Sequence, residues 1–223
     1  MKHTLVSVNV GATKIIGHRN GRAVRSAIGK SPIAADVVFF NRNGVAGDQQ
    51  TNLFLHGGTG RAVCAYDAGH WPWWRTEKGL VCAEGSFGEN LTLIGLNEDR
   101  VCIGDQIAWG EVILEVTQPR GPCANLDVHH GQVGIAHAIT RSACCGWYMR
   151  VLREGKAPTR NAVIEHIRGR GTLTVTEAFV ARYISRRSPL ASHGHVKDLS
   201  QVSGNLRRAV ARTLSQRTQG FLL

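Results

Sequence analysis

Short apolar runs punctuated by glycine-rich turns are what most limits the folds open to this chain. Val6, Val8 and Val10 alternate with Ser7 and Asn9, the period-two pattern of a half-buried strand. Residues 37–40 form an apolar run that ends in Asn41-Arg42-Asn43-Gly44, a turn sequence, and residues 62–66 read as a further strand. Val101-Cys102-Ile103 runs into Gly104-Asp105 and then Gln106-Ile107-Ala108-Trp109, which predicts a hairpin. Farther on, Val112, Leu114 and Val116 fall on one face of another strand. Most of the 26 glycines lie between these runs. The expected fold is therefore mainly β, a barrel-like sheet with many tight turns. Two short helices are predicted within it, near residues 68–78 and 134–142.

The pattern changes after residue 168. Thr174-Val175-Thr176-Glu177 has capping-box spacing and precedes Ala178, Phe179 and Tyr183, so a helix is predicted to start there. Residues 185–198 read as a polar connector. Leu206, Ala209, Val210, Thr213 and Leu214 then repeat as one face of an amphipathic helix, with Arg207, Arg208 and Arg212 on its other faces. The chain thus divides into a β-rich domain over 1–168 and a small helical appendage over 169–223. The appendage is too small to hold a core alone and is expected to cover the barrel or a partner, a homodimer being one such arrangement.

Charge follows the same division. Residues 1–150 carry 14 Lys and Arg against 12 Asp and Glu, whereas residues 151–223 carry 13 against 4. A basic tail of this kind attracts nucleic acid, an anionic substrate or an acidic partner, or is simply a solvated helix face. No nucleic-acid-recognition motif or interleaved aromatics accompany it, so a nucleic-acid partner is not expected. No stretch approaches the roughly 20 apolar residues of a membrane-spanning helix. Residues 1–6 also lack an apolar run before a small-residue cleavage site. The six cysteines are too sparse for a disulfide-stapled secreted domain, and a cytoplasmic protein with reduced thiols and no membrane partner is expected.

Four polar clusters fall at turns. Gly47-Asp48 is followed by His56-Gly57-Gly58 and Arg61; consecutive glycines let the backbone approach a ligand and offer N–H groups to an anion, and an arginine can add a bidentate contact. The same residues also occur in ordinary turns. Phe87-Gly88-Glu89-Asn90-Leu91 reads equally as a ligand-facing corner or as a satisfied turn in which Glu89 pairs with an arginine. Gln118-Pro119-Arg120-Gly121-Pro122-Cys123 stands where a strongly alternating strand ends. Its two prolines stiffen the loop, and Arg120 is placed to favour a thiolate at Cys123. Of the six cysteines, Cys123 is the one suited to reactivity or metal binding. His129, His130, His137, Cys144 and Cys145 lack the paired short spacings of a structural zinc site.

Taken together, Gly47-Asp48, the H-G-G-x-x-R-A-V run at 56–63, F-G-E-N-L at 87–91, Gly104-Asp105 and Q-P-R-x-P-C at 118–123 resemble a MOSC domain, the domain type named after molybdenum-cofactor sulfurases. The similarity runs on through residues 146–152 and Gly155, and the tail resembles the three-helix appendage of the YiiM subgroup. The resemblance implies a molybdenum cofactor, Mo-molybdopterin, held through the sulfur of Cys123. It further implies that His56, Gly57, Gly58, Arg61, Asn90 and Arg120 surround the pterin and its phosphate. One departure is Gly60, where many relatives carry Asp directly before the arginine.

The activity so implied is that of a molybdoenzyme oxidoreductase reducing small N-hydroxylated compounds such as N-hydroxylated purine bases, with His56 or Asp48 relaying protons. No iron–sulfur spacing or dinucleotide fingerprint is present. Electrons are therefore expected from a separate reductase, a flavoprotein, with the basic tail as its docking surface. The alternative is a non-catalytic carrier of molybdenum cofactor or sulfur built on the same cysteine.

Overall fold

The computed structural model describes residues 1–51 and 58–184. In chain order its strands are β1 (Lys2–Val10), β2 (Lys14–Arg19), β3 (Arg22–Ser26), β4 (Ser31–Pro32), β5 (Val37–Asn41), β6 (Gly44–Val45), β7 (Val63–Asp67), β8 (Leu91–Ile94), β9 (Gln106–Trp109), β10 (Val112–Pro119), β11 (Trp147–Arg153), β12 (Gly155–Pro158) and β13 (Arg160–Ile167). Seven of them close into a barrel in the order β13-β9-β10-β11-β7-β8-β1, with β1 returning to β13 in a register that runs from Lys2↔Glu165 to Ser7↔Arg160. Within the barrel only β7 and β8 are parallel. The β2–β3 hairpin stands apart as its own two-stranded sheet.

Alternation in the sequence selects the barrel interior. Along β10, Val112, Leu114 and Val116 are buried while Ile113 and Glu115 are partly exposed. These side chains join Leu5, Val8, Leu91, Leu93, Ile107, Met149 and Ile164 in one apolar core. A parallel pair needs a crossover, supplied here by a 3₁₀ turn (Ala68–His70) and helix α1 (Trp71–Lys78). The crossover is anchored by aromatic packing: Tyr66 stacks on Phe87 with ring centroids 4.3 Å apart, and Trp74 Nε1 donates to Tyr66 Oη at 2.5 Å. Helices α2 (Asn125–His130) and α3 (Ile135–Ser142) follow β10, in agreement with one predicted helix and adding another.

Two strand expectations are refined. In β1 the polar residues Ser7 and Asn9 are as buried as Val8. This is tolerated because Asn9 Oδ1 accepts from Ser7 Oγ at 2.9 Å, while Asn9 Nδ2 donates to Thr92 Oγ1 at 3.0 Å and to the Glu89 carbonyl at 3.3 Å. The predicted hairpin lies one segment later than the sequence suggests. Residues 106–109 pair with β10, and Cys102 instead makes an isolated bridge with Thr174. Asp105 imposes this arrangement, because its carboxylate accepts from the Cys102 amide at 2.9 Å and turns the chain away from β9.

The predicted capping box is present, with Thr174 Oγ1 accepting from the Glu177 amide at 3.1 Å and Glu177 Oε2 accepting from the Thr174 amide at 3.0 Å. It opens α4 (Val175–Phe179), which continues as a π turn through Ile184. Val175, Phe179, Val180 and Ile184 belong to the barrel core. The connector at 185–198, the amphipathic helix and Arg207, Arg208 and Arg212 lie outside the described residues. Among the described residues no helix is long and apolar enough to cross a membrane. All six cysteines are free.

Asp105 also accepts from the Gly169 amide at 2.8 Å, from His166 Nε2 at 2.7 Å and from Arg168 Nη1 at 3.3 Å, although its side chain is fully buried. Burial works against its charge, but the amides of Cys102 and Gly169, followed by His166, hold its pKa below the ordinary 3.8. The folded state therefore binds this proton less readily than the unfolded chain. The carboxylate's stabilisation is present above pH 3.8 and is lost as pH falls through the lower folded value. Asp105→Asn is expected to cost about 3 kcal/mol at neutral pH. Urea denaturation should show the gap to wild type closing on acidification below pH 3.8.

Candidate active site

Several of the motifs singled out along the chain meet at one mouth of the barrel, where pairing register brings them, whereas Gly104-Asp105 braces a separate corner with Cys102, His166 and Gly169. Gln118 on β10 faces Tyr148 on β11, and Tyr148 faces Cys64 on β7. The row then continues to Asn90, whose amide donates to the Cys64 carbonyl at 2.8 Å and whose Oδ1 accepts from the Cys64 amide at 3.1 Å. Gln118, Tyr148, Cys64 and Asn90 all line a cleft of about 960 Å³. Its far wall is formed by the β2–β3 hairpin, and Asp48, Arg61, Arg120 and Cys123 complete the lining.

Asn90 is buried and makes full use of its amide. Nδ2 donates to the Asn9 carbonyl at 3.2 Å and to Asp48 Oδ2 at 2.9 Å. Asp48 is equally engaged: Oδ1 accepts from the Gly11 amide at 2.9 Å and forms a close ion pair with Lys30. The neighbouring Glu89 is a satisfied turn residue, but its partners are not an arginine. Its carboxylate accepts from the Gly85 and Phe87 amides at 2.8 and 2.9 Å and from Thr92 Oγ1 at 2.8 Å. Burial raises its pKa despite those bonds.

The cysteine loop is held at several points. Arg120 N donates to the Gly146 carbonyl at 3.0 Å, and Leu126 N donates to the Cys123 carbonyl at 3.0 Å, fixing the chain on both sides of the thiol. A Cβ on Gly121 would sit 2.6 Å from Tyr183 Oη, so any larger residue would push that ring off the loop. Just upstream, the register shift between Val116 and Gln118 places the Thr117 hydroxyl 2.6 Å from the Gly60 carbonyl and 3.0 Å from the Tyr148 carbonyl, which share its one proton. This bulge ties the glycine segment to the cysteine strand. Gly58 begins that segment at φ 97°, a conformation that favours glycine. A Cβ on Gly60 meets nothing within 4 Å, so the site has room for a larger residue there.

Charge is the cleft's defining property. Arg19, Arg25, Lys30, Arg61 and Arg120 line it, against the single carboxylate of Asp48, which Lys30 already neutralises. Arg120 is 5% exposed, yet its Nη1 has no hydrogen-bond partner and no carboxylate lies within ion-pair distance among the described residues. A buried guanidinium left in this state is costly unless an anion completes it. Around it, burial pushes the Cys64 thiol up to about 12 and, with Cys64 adding to the effect, the Tyr148 phenol to about 12 as well. Both are therefore protonated, neutral groups at physiological pH, whereas Cys123 is partly exposed at the cleft.

The expected residues Asp48, Arg61, Asn90, Arg120 and Cys123 are thus brought together, with Gly58 at the adjoining turn, while His56 and Gly57 lie outside the described residues. No group of three His, Cys, Asp or Glu side chains is placed to hold a metal among the described residues. Lys30 was missed, since a single lysine between Gly29 and Ser31 carries no pattern. Tyr148 and Tyr183 were read only as members of longer motifs, because strand register and helix docking are what carry them to the cleft.

Residues 52–166 match the MOSC domain family. The chain is 33% identical over 174 residues to protein YiiM of Escherichia coli (strain K12), covering 77% of this chain and 76% of that protein. A 148-residue stretch, 61% of this chain, is 36% identical to a protein of Gibberella moniliformis named "Reductase", of which it spans 26%. The crystal structure of YiiM from Geobacillus stearothermophilus shares the fold with a TM-score of 0.64 and 31% identity, over 94% of this chain and 97% of that one.

Asn90→Ala removes the acceptor of the Cys64 amide and the donor to Asp48, and is expected to destabilise the fold by about 3 kcal/mol. Cys64 should resist iodoacetamide in the folded wild type and become labelled in the variant, as peptide mass spectrometry would show.

Proposed function

The chain belongs to the MOSC family as a YiiM-like member, and from that premise we propose that it is a molybdenum-cofactor-dependent reductase of N-hydroxylated compounds. The observation that carries this reading is the buried guanidinium of Arg120, whose Nη1 lacks a partner, in a cationic cleft that the partly exposed Cys123 also lines. That donor set fits an anionic metal–pterin group: one soft thiolate for the metal and several cations for the phosphate and the dithiolene charge. The name of the Gibberella relative supports reductive chemistry.

In this reading Cys123 is the protein's ligand to molybdenum, and Arg120 and Arg61 balance the cofactor's negative charge, Lys30 being paired with Asp48. The bound cofactor would supply two-electron oxygen-atom chemistry, so that R–NHOH, two electrons and two protons give R–NH₂ and water. The protein's own contribution is binding, orientation and proton placement. Tyr148 keeps its proton at neutral pH and so offers a hydrogen bond to substrate oxygen rather than a negative charge. Asp48 acts by position, locking Lys30 and Asn90, since both of its oxygens already accept bonds. The two electrons come from a separate donor, a flavoprotein reductase.

The test is to express the chain in cells that make molybdopterin and to measure molybdenum and pterin per chain, together with dye-driven reduction of a hydroxylamine substrate. Wild type should carry about one metal per chain and turn over; Cys123→Ala should lose the metal, and Cys64→Ala should keep it. Replacing Arg120 by Leu should lower pterin retention at least about tenfold. Cofactor bound without turnover of any N-hydroxylated substrate would favour the carrier reading. No cofactor in folded wild type would reject both.

A further inference from the structure

The β2–β3 hairpin carries charge that its own fold does not use. Its register sets Arg19 directly opposite Arg22 across the Asn20-Gly21 turn, whose φ angles are 52° and 73°. Like charges directly opposed destabilise an antiparallel pair. Arg25 lies three residues farther along the same hairpin. Among the described residues none of the three is within ion-pair distance of a carboxylate. Arg19 Nη2 reaches only the amide oxygen of Asn125, at 3.4 Å. A local rule broken without internal compensation is expected where a ligand supplies the missing counter-charge.

The arginines line a depression rather than a flat face. A hollow of about 590 Å³ is bounded by Arg19, Arg22, Arg25 and Asn125, with no acidic residue in its wall. It shares Arg19, Arg25 and Asn125 with the main cleft. Asn125 is two residues beyond Cys123, so their Cα atoms are at most about 7 Å apart. The hollow therefore opens beside the cysteine. At about 960 Å³ the main cleft is already at the upper end of the roughly 300–1,000 Å³ typical of a pocket for one ligand. With Arg61 and Arg120 inside to balance a cofactor, the hairpin arginines form a second, outer anion site.

We propose that this outer site takes the phosphate of an N-hydroxylated nucleotide, so that the preferred substrates are phosphorylated nucleosides rather than free bases. The inference rests on the reductase reading and names its substrate class. Guanidinium forks suit a phosphate monoester, which accepts paired N–H bonds from more than one arginine. The base end is then directed along the shared wall toward Cys123.

The experiment uses the cofactor-loaded full chain with a dye electron donor and three substrates: 6-N-hydroxylaminopurine, its ribonucleoside and the ribonucleoside 5′-monophosphate. The monophosphate should show a kcat/KM about tenfold above the other two, an advantage that shrinks as salt is raised. Arg22→Gln touches only the outer hollow. It should abolish the monophosphate advantage, leave turnover of the free base unchanged, and melt no lower than wild type because a like-charge pair is relieved. Equal kcat/KM for all three substrates in wild type would overturn the inference while leaving the reductase reading intact. So would an equal loss on base and nucleotide in Arg22→Gln, which would show that the arginine does not read the phosphate. If the loaded protein reduces none of the three, the reductase reading and this inference both fall.

Discussion

The carboxamide of Asn90 is the joint on which the barrel mouth depends. A single buried side chain binds the Cys64 amide on β7, the Asn9 carbonyl on β1 and the Asp48 carboxylate. No other residue type offers one acceptor and two donors in that compact, planar form. Asp48 passes the constraint to Lys30 and Gly11, so the lysine that faces the cleft is set by a chain of bonds that begins at Asn90. Glu89 stabilises the same corner from behind by taking up the turn's own amides. The cleft floor is thus rigid by hydrogen bonding, and its electrostatics are set separately by the cations around it.

Those cations carry a folding cost. A buried arginine with a free Nη1 and a cross-strand arginine pair both oppose folding. The barrel affords this through its apolar core and through carboxylates such as Asp105 and Glu98, each bonded to several donors. Stability is concentrated in the barrel body, and strain is concentrated where an anion would relieve it. That division separates a binding mouth from a uniformly optimised surface.

The β character, the closed sheet and the two inner helices were legible because period-two alternation and glycine turns act locally. Val112, Leu114 and Val116 announce their own buried face, and Thr174 with Glu177 announces a helix start. The hairpin near Gly104 was misplaced by one segment because Asp105 looks like a turn residue in sequence. Its fully buried carboxylate, reaching Gly169 more than sixty residues away, has no sequence signature. Within the cleft, Cys123 was legible from its stiffened loop beside Arg120, while Asp48, Arg61 and Asn90 stood out only once the motifs were read together as a family resemblance. Lys30 and Tyr148 were not singled out, since one is an isolated lysine and the other reaches the cleft only through the pairing of β11 with β7 and β10.

Barrel closure also has a consequence in time. β1 cannot find β13 until residue 167 has been made, and the amide of His166 bonds to the carbonyl of Met1 at 2.7 Å across that seam. Synthesis at roughly 5–20 residues per second leaves the first strand waiting on the ribosome for many seconds, with one edge unpaired. Every lining residue of the cleft except Tyr183 has been translated before the barrel can shut. The cleft therefore takes its closed form only after β13 has been made and has paired with β1, and whatever fills it early must do so in an open sheet.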